Sequence, residues 1–288
     1  MNLFTIENLR CSYEQPYQEG VSRVVLEIRH LKLERGQKIF IVGESGIGKS
    51  TILETLGMMN NTIVPDVMTQ FVFHESDGRQ VDLTALWKAH DNKLSRFRLN
   101  HYSFIFQSTN LMRNFTAYEN VAYTRMLQGY SRQECFTRTR QVLESLGLEH
   151  IDEKRMTQEL SGGQQQRLAF ARAILPDYTV LFGDEPTGNL DPENAMRVMQ
   201  ILANRPKEQQ DASAIIVSHD MHLATTFADI IIKIRKVARP KQHDDEEEVT
   251  YGLIDDDCVF CPDVTRNKWS GGGETFSTEA LEDYLRKK

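Results

Sequence analysis

The chain has 288 residues, 40% of them hydrophobic, and a formal net charge of -7. This length favours one well-packed domain with appendages. Residues 240–288 carry 13 acidic and 6 basic residues, so they hold the whole negative excess and the rest of the chain is neutral. A neutral body with an acidic end argues against a nucleic-acid partner, because non-specific binding needs a positive field. No apolar run approaches the roughly 20 residues of a membrane-spanning helix and no secretory signal is legible, so we expect a cytoplasmic location.

The cysteine pattern sets a further limit. Four cysteines are too few and too scattered for a disulfide framework, which fits a reducing compartment. Cys258 and Cys261 form a C-x-x-C pair, but a structural zinc site needs four ligands and the sequence offers no second pair. The pair therefore does not by itself predict a zinc site.

The first hundred residues predict strands followed by a loop and a helix. Asn2–Leu9 and Arg23–Leu33 alternate apolar and polar residues, which predicts antiparallel strands. Lys38–Val42 is a short apolar run that leads through glycines into the helical pattern of Ser50–Met59. The polar region 60–102 offers one hairpin, over Gln70–Leu83.

The middle of the chain alternates helical and apolar patterns. Helical periodicity runs from Ala117 to Leu148, with a stop at Gly147. Later strands are predicted at Thr179–Phe182 and Ala214–Val217, and helices at Gly163–Leu175 and Pro192–Asn204. Strands separated by helices imply a mainly parallel sheet covered on both faces, hence an α/β fold.

The composition changes after Arg239. Acidic runs and the glycines of Ser270–Gly273 predict a flexible or docking extension over residues 240–288. Ser277 or Thr278 can cap a last helix, Glu279–Lys287, whose acidic residues come early and basic residues late, as the helix dipole prefers. We expect truncation at Arg239 to leave activity intact while changing assembly.

The segment Gly43-Glu-Ser-Gly-Ile-Gly-Lys49-Ser50 fits the phosphate-binding pattern G-x-x-x-x-G-K-[ST] between a strand and a helix. Glycines let backbone N–H groups curl around a polyphosphate at a helix N-terminus. We expect Lys49 to bridge the β- and γ-phosphates and Ser50 to bind Mg²⁺. The predicted nucleotide-binding residues of this segment are Gly43, Glu44, Ser45, Gly46, Ile47, Gly48, Lys49, Ser50 and Thr51.

A second apolar strand ends in two adjacent carboxylates, Asp184 and Glu185. In parallel sheets a ligand lies at the carboxyl ends of the strands, so Asp184 can serve Mg²⁺ while Glu185 points at the γ-phosphate. Glu185 is the predicted general base or water-orienting residue. Without the phosphate-binding loop, an ordinary solvated strand end would explain the pair equally well.

The segment Leu160-Ser-Gly-Gly-Gln-Gln-Gln-Arg167 precedes a helix whose N-terminus offers free N–H groups to an anion. At these residues the sequence resembles the ABC ATPases. The resemblance implies an ABC cassette with an antiparallel β subdomain and a helical subdomain, and it implies that this segment contacts ATP held by a second copy of the chain. The residues it assigns to that contact are Ser161, Gly162, Gly163, Gln164 and Asp191.

The same resemblance also assigns roles to further residues whose motifs are less specific. Gln107 after Phe104-Ile-Phe would touch Mg²⁺ and carry the link to a membrane partner, and His219 would contact the γ-phosphate. Gly188-Asn-Leu-Asp191 would cross the dimer interface, although it also fits a plain turn before Pro192. Tyr13 stands where the family stacks an aromatic ring on adenine, and Tyr17 competes for that role.

Two further segments narrow the resemblance to the lipoprotein-release, macrolide-export and FtsE-type cell-division group: Glu185-Pro-Thr-Gly-Asn-Leu-Asp191 and Asn114-Phe-Thr-Ala-Tyr-Glu-Asn-Val121. It implies a cassette over residues 1–239, with a helical subdomain over about 108–175, that uses ATP and Mg²⁺ and binds integral membrane permease subunits at the inner face of the cell membrane. Closure of a homodimer on ATP would then drive mechanical work or export. A signalling, enzyme-activating or defence role, an ABC protein acting on DNA or ribosomes, and a P-loop kinase are the alternatives.

Overall fold

A computed structural model of the chain describes residues 1–14, 22–89, 91–188, 190–208, 211–238 and 249–287. They form two compact units, one of residues 1–94 with 217–288 and the other of residues 95–216. The predicted boundary after Arg239 does not separate these units, because the strands that follow it pair with strands of the first unit.

One sheet of the first unit is largely antiparallel. Its six strands, in spatial order, are β10 (Arg235–Ala238), β11 (Thr250–Ile254), β2 (Ser22–Glu34), β1 (Asn2–Glu14), β4 (Gln70–His74) and β5 (Gln80–Asp82). The β1–β2 pair and the β4–β5 hairpin are those that the sequence predicts. The exception to the antiparallel pattern is β11, which runs parallel to β2. Phe4 and Ile6, and further along β1 Leu9 and Cys11, are fully buried and stand two residues apart within each pair, which explains the alternating pattern of the sequence.

The first unit also holds part of a second sheet, built around a parallel pair. The strands, in spatial order, are β14 (Glu274–Ser277), β13 (Lys268–Gly271), β12 (Val259–Pro262), β9 (Ile230–Lys233) and β3 (Lys38–Val42). β3 and β9 are parallel, and the C-terminal strands add to β9 in antiparallel fashion. The helices of this unit are α1 (Lys49–Leu56), α2 (Leu83–Trp87), α8 (Met221–Phe227) and α9 (Thr278–Arg286).

The C-terminal segment corrects one prediction. Residues 249–287 are strands and a helix of the first unit, with Ile254, Phe260 and Trp269 at most 1% exposed. The prediction of a flexible extension is therefore wrong for these residues, whereas the predicted last helix is confirmed as α9, capped by Ser277. The acidic composition of the segment predicted a flexible chain, although the segment also contains apolar residues that are buried in the structure. The acidic run 244–248 lies outside the described residues.

Among its described residues, the second unit contains three strands and five α-helices. The strand order is β8-β7-β6, and β6 and β7 are parallel, as predicted. The elements, of which the start of α3 and the last residue of β8 belong to the first unit, are in chain order α3 (Asp91–His101), β6 (Tyr102–Ile105), α4 (Ala117–Leu127), α5 (Arg132–Ser145), α6 (Gly162–Ile174), β7 (Val180–Asp184), α7 (Pro192–Glu208) and β8 (Ser213–Val217). Within the described ranges, no helix is both long enough and apolar enough to cross a bilayer.

The helical stretch predicted over residues 117–148 is two helices. α4 starts with a capping box, in which Thr116 accepts from the Glu119 backbone N–H and the Glu119 carboxylate accepts from that of Thr116. Gly129 has φ 98° and follows the end of α4, and Ser131 then caps α5. Gly147, with φ 65°, closes α5 as expected.

Candidate functional site

The glycine loop connects β3 to α1 in the first unit. Gly46 and Gly48 have φ values of 76° and 109°, a left-handed region that side chains rarely adopt. Such turns aim successive N–H groups to one side and make an anion-binding concavity. The Lys49 Nζ, on a side chain only 7% exposed, donates to the carbonyls of Gly43 (2.9 Å) and Glu44 (2.7 Å). Its ammonium group is therefore held over the loop, where a phosphate would need it.

His219 belongs to the same pocket. The backbone N–H of Ser218 donates to the carbonyl of Ile41 (3.3 Å), which places the following residue next to the end of β3. A cavity of about 640 Å³ is lined by Gly43, Glu44 and Ser45 and also by His219. The exposed imidazole lies between β8 and α8, whose N-terminus is capped by Asp220. His219 thus shares a pocket with the loop, and its predicted contact with a γ-phosphate stays a prediction.

Tyr13 lies at the other side of the loop helix. Its ring is 42% exposed at the end of β1, and its hydroxyl is 3.3 Å from the Thr51 Oγ1. The Asn60 Nδ2 also donates to that hydroxyl (3.3 Å) and to the Glu54 carboxylate (2.6 Å). An exposed aromatic face is thereby fixed beside α1. The competing candidate, Tyr17, lies outside the described residues.

In the second unit, the polar candidates gather at the carboxyl ends of β6 and β7. Ile105 pairs with Gly183, so Gln107 and the Asp184–Glu185 pair follow neighbouring parallel strands at one edge. Glu185 has φ 49°, an unusual conformation for a residue with a side chain. Such strain costs roughly 1–3 kcal/mol and is concentrated at functional sites. The backbone therefore turns sharply at the predicted catalytic carboxylate.

The N-terminus of α6 is open to solvent. Ser161 caps it, because its Oγ accepts from the Gln164 N–H (3.3 Å) while the Gln164 Oε1 accepts from the Ser161 N–H (2.9 Å). Gly162 and Gly163 are exposed, and nothing lies within 4 Å of a Cβ built on either of them. This helix end is thus free for a group from outside the described chain.

Asp191 has a local role in the structure. Its Oδ1 accepts from the Asn194 N–H (3.0 Å), and this bond is the main reason why the pKa of Asp191 lies below the ordinary aspartate value. α7 begins at the next residue, Pro192. The turn that the sequence offered as the plain explanation of this motif is therefore present, and the predicted contact across a dimer interface stays a prediction.

Comparison with known proteins decides the family. The ABC transporter family matches residues 26–188. The lipoprotein-releasing system ATP-binding protein LolD of Colwellia psychrerythraea is 32% identical over 238 residues, which cover 82% of this chain and 87% of that protein. The chain belongs to the ABC transporter family. The chain has the α/β fold of the ABC ATPases, and its activity is ATP hydrolysis, as in that family.

Other relatives agree with this assignment. LolD of Saccharophagus degradans is 37% identical over 73% of this chain and 87% of its own length. The macrolide export ATP-binding/permease protein MacB of Aggregatibacter actinomycetemcomitans is 35% identical over 82% of this chain, which spans only 34% of MacB. The dimeric structure of MJ0796, a bacterial ABC transporter cassette, superposes with a TM-score of 0.67 at 27% identity, covering 80% of this chain and 94% of that one. The same cassette is known as a dimer bound to ADP and Pi, with a TM-score of 0.66. The predicted resemblance to the lipoprotein-release and macrolide-export group is confirmed.

Oxygen donors of the kind that Mg²⁺ prefers stand in each of the two units of this ABC cassette. In the first unit, Ser50 carries a hydroxyl at the start of α1. In the second unit, Asp184 carries a carboxylate at the end of β7 and Gln107 an amide oxygen. Oxygen ligands of this kind suit Mg²⁺, which usually keeps several waters and binds one carboxylate together with substrate phosphates. When bound, the ion would neutralise charge on the phosphates.

Two supporting residues of the cassette were missed from the sequence. The Asn120 side chain, fully buried, donates to the carbonyl of Met112 (3.0 Å) and accepts from its N–H (2.8 Å), which fixes the loop after Gln107. The Gln165 Nε2 donates to the carbonyls of Thr157 and Leu160 (both 3.1 Å) and fixes the segment before Ser161. Both lie inside the motifs that carry the family resemblance, and that position was the available signal.

The cysteines of the C-x-x-C pair, Cys258 and Cys261, differ in their exposure. Cys258 is buried and Cys261 exposed. No cluster of three or more His, Cys, Asp or Glu side chains suited to a metal occurs in the part of the chain that the structure describes.

Proposed function

We propose that the chain is the ATP-hydrolysing subunit of a membrane complex and that two copies close on two ATP molecules. The loop Gly43–Thr51 and Tyr13 bind the nucleotide, and Ser50, Asp184 and Gln107 hold Mg²⁺. Glu185 activates or orients the attacking water, while His219 contacts the γ-phosphate. Chelation of Mg²⁺ with EDTA should abolish hydrolysis, and undiminished hydrolysis would refute the metal role.

The open end of α6 is the observation that carries the dimer. Its cap hydroxyl and two exposed glycines present N–H groups and a positive dipole end to solvent. A γ-phosphate held in the loop of a second copy is a ligand of the right charge. Ser161, Gly162, Gly163 and Gln164, together with Asp191, then complete the partner's site. Because hydrolysis removes the bridging phosphate, the dimer reopens after each turnover.

The dimer is tested by Glu185→Gln, which keeps the side-chain shape but removes the charge needed to activate water. We expect hydrolysis to fall by about 10²-fold or more and an ATP-dependent dimer to accumulate, measured by size-exclusion chromatography with light scattering. Glu144→Gln, on the exposed face of α5, is the matched control and should behave as wild type. A monomeric Glu185→Gln protein at saturating ATP would refute the shared site.

We also propose where the permease binds. Next to Gln107, a cavity of about 610 Å³ is lined by Ser108–Leu111, Arg113, Thr157, Gln158 and Gln165. It opens beside the segments that Asn120 and Gln165 fix, so a helix or loop of the permease seated there would move together with Gln107. By likeness to LolD and MacB, the dimer's closure would pull mechanically on that permease or drive export.

Leu111→Asp tests this docking site, because it places a charge in the cavity. We expect a smaller fraction of the tagged chain to sediment with the membranes of its own host, with unchanged ATPase activity of the isolated chain. Leu127→Asp is the control, since Leu127 is an apolar residue 54% exposed on α4 of the same unit. Equal sedimentation of the Leu111 variant and wild type would exclude the cavity.

A further inference from the structure

The phosphate loop lies across three adjacent strands of the first unit. A Cβ built on Gly48 is 3.5 Å from the Leu26 Cβ on β2, and one built on Gly43 is 3.5 Å from the Ile234 Cβ, just before β10. Between these two contacts, the carbonyl oxygen of Ile47 lies over Gly252 on β11. This arrangement follows the order of the strands, β10-β11-β2. Thus β11, which belongs to the C-terminal segment 249–287, packs directly against the nucleotide loop.

Gly252 is the closest of these contacts. It pairs with Leu26 on one side and Lys236 on the other, so the sheet holds its backbone in place. A Cβ at this position would lie 2.3 Å from the Ile47 carbonyl oxygen. This is about 1 Å shorter than an ordinary van der Waals contact. The group it would meet is backbone of the loop rather than the end of a flexible side chain. Any side chain at position 252 must therefore displace the loop or the strand.

The C-terminal helix reaches the same pocket from another side. The Lys233 Nζ donates to the carbonyls of Tyr284 (2.8 Å) and Lys287 (3.2 Å) and lies 4.0 Å from the Tyr284 ring centre. Residues 284–287 line the cavity that Gly43–Ser45 and His219 also line. An ion pair between Lys236 and Glu44, 3.2 Å apart, ties β10 to the loop itself. The C-terminal segment thus contacts the loop through Gly252 of β11 and borders the cavity of the loop through residues 284–287.

We propose that residues 249–287 are a working part of the nucleotide site and that Gly252 is a positioning residue which sets where the phosphate loop lies. The inference rests on the proposed ATP site and adds a determinant of its affinity. Because β11 is a strand of the first unit rather than a free end, a force or partner acting on the C-terminal segment reaches the phosphates through the backbone contact between Gly252 and Ile47. ATP bound in the loop would in turn make β11 harder to open.

Gly252→Ala tests the proposal, and Gly271→Ala is its matched control. A Cβ at Gly271 would lie 2.4 Å from the Val259 carbonyl oxygen, an equally severe backbone clash in the same segment, but against β12 instead of the loop. We expect ATP to bind the Gly252 variant about tenfold more weakly or worse, and the Gly271 variant within twofold of wild type. Both should lose thermal stability without nucleotide. Binding is measured directly by calorimetry in the absence of Mg²⁺, so hydrolysis does not contribute.

The possible results separate this proposal from the proposed function. Failure of the wild-type chain to bind ATP would refute the ATP site itself. Wild-type binding together with unchanged affinity of Gly252→Ala, or with equal losses in both variants, would overturn only the role of Gly252. Should Gly252→Ala fail to fold, amide hydrogen exchange of the wild-type chain decides. We expect ATP to slow exchange in β11 but not in β14, and no ATP effect on β11 would contradict the proposal.

Discussion

At the scale of single residues, Arg125 shows how the second unit holds a buried charge. It is 2% exposed on α4, where its guanidinium contacts the Asp177 carboxylate (2.8 Å) and stacks 3.7 Å from the centre of the Tyr130 ring. Asp177 also accepts from the Tyr130 hydroxyl (2.5 Å). Burial alone would raise the pKa of Asp177, but its bonds to Tyr130 and Arg125 outweigh burial and lower it. These contacts tie the end of α4 to the segment that leads into β7.

Arg125→Ala should lower the free energy of unfolding by about 2–3 kcal/mol, less than for a fully buried pair because the Asp177 side chain is 44% exposed. Arg140→Ala is the control. Arg140, 62% exposed, pairs with Glu153 on the surface, so its loss should cost about 0–1 kcal/mol. Urea denaturation measures both, and equal losses would contradict the buried network.

The contribution of Asp177 to stability should depend on pH. Because folding lowers the pKa of Asp177, the stability that its charged form contributes is complete above the ordinary pKa of 3.8 and is lost as the pH falls below that value. The difference in unfolding free energy between wild type and the Arg125 variant should therefore narrow at low pH.

At the scale of elements, α5 and α6 begin in the same way but are expected to do different work. Ser131 caps α5 and Ser161 caps α6, each accepting from the N–H three residues later (3.2 and 3.3 Å). Both caps are exposed and both should contribute about 1 kcal/mol to stability. The exposed end of α6 differs in carrying two glycines and the proposed contact with a second copy.

Ser161→Ala and Ser131→Ala therefore make a matched pair. We expect similar losses in thermal stability from both, of about 1 kcal/mol. The Ser161 variant alone should lose ATPase activity and ATP-dependent dimerisation, since only that hydroxyl faces the partner's nucleotide in the proposed complex. Steady-state hydrolysis and light scattering decide. Normal activity and dimerisation of the Ser161 variant would remove its proposed role.

The element scale also shows where sequence patterns were sufficient. The strand at Lys38–Val42, the glycine loop and the helix after it were predicted because local composition dictates each of them. The division of residues 117–148 into α4 and α5 was not predicted, because the apolar periodicity continues through the break at Gly129. The capping signals Ser131 and Glu134 were present but weaker than the periodicity.

At the scale of the whole molecule, the C-terminal segment is part of the first unit's core. Leu253, Ile254, Phe260 and Trp269 are each at most 4% exposed. Burying such side chains contributes about 1.5–3 kcal/mol each. Removing the C-terminal segment would also take away β11 and β12, so β2 and β9 would lose a neighbouring strand and have open edges. From the composition, truncation at Arg239 is expected to leave the activity intact. From the structure, the same truncation is expected to disrupt the fold.

Truncation after Arg239 should give an aggregated or unfolded chain without ATPase activity. Truncation after Ser277, which removes only α9 with Leu281 and Leu285, is the comparison and should yield a folded chain of lower thermal stability. Solubility, circular dichroism and ATP hydrolysis measure the outcome. A soluble, fully active chain of residues 1–239 would show that the segment is dispensable.

The sequence by itself determined the family and the α/β class, and it predicts the phosphate loop, the paired carboxylates and the α6 segment. Each of these is written in a short run of adjacent residues whose local conformation is the functional feature. Only the tertiary structure decided that β11 lies against the phosphate loop at Gly252 and that Arg125 joins α4 to Asp177. Such contacts join residues about 50 to 200 positions apart, as in the pairs Arg125–Asp177 and Ile47–Gly252. They depend on which strands become neighbours, and neither composition nor periodicity along the chain carries that information.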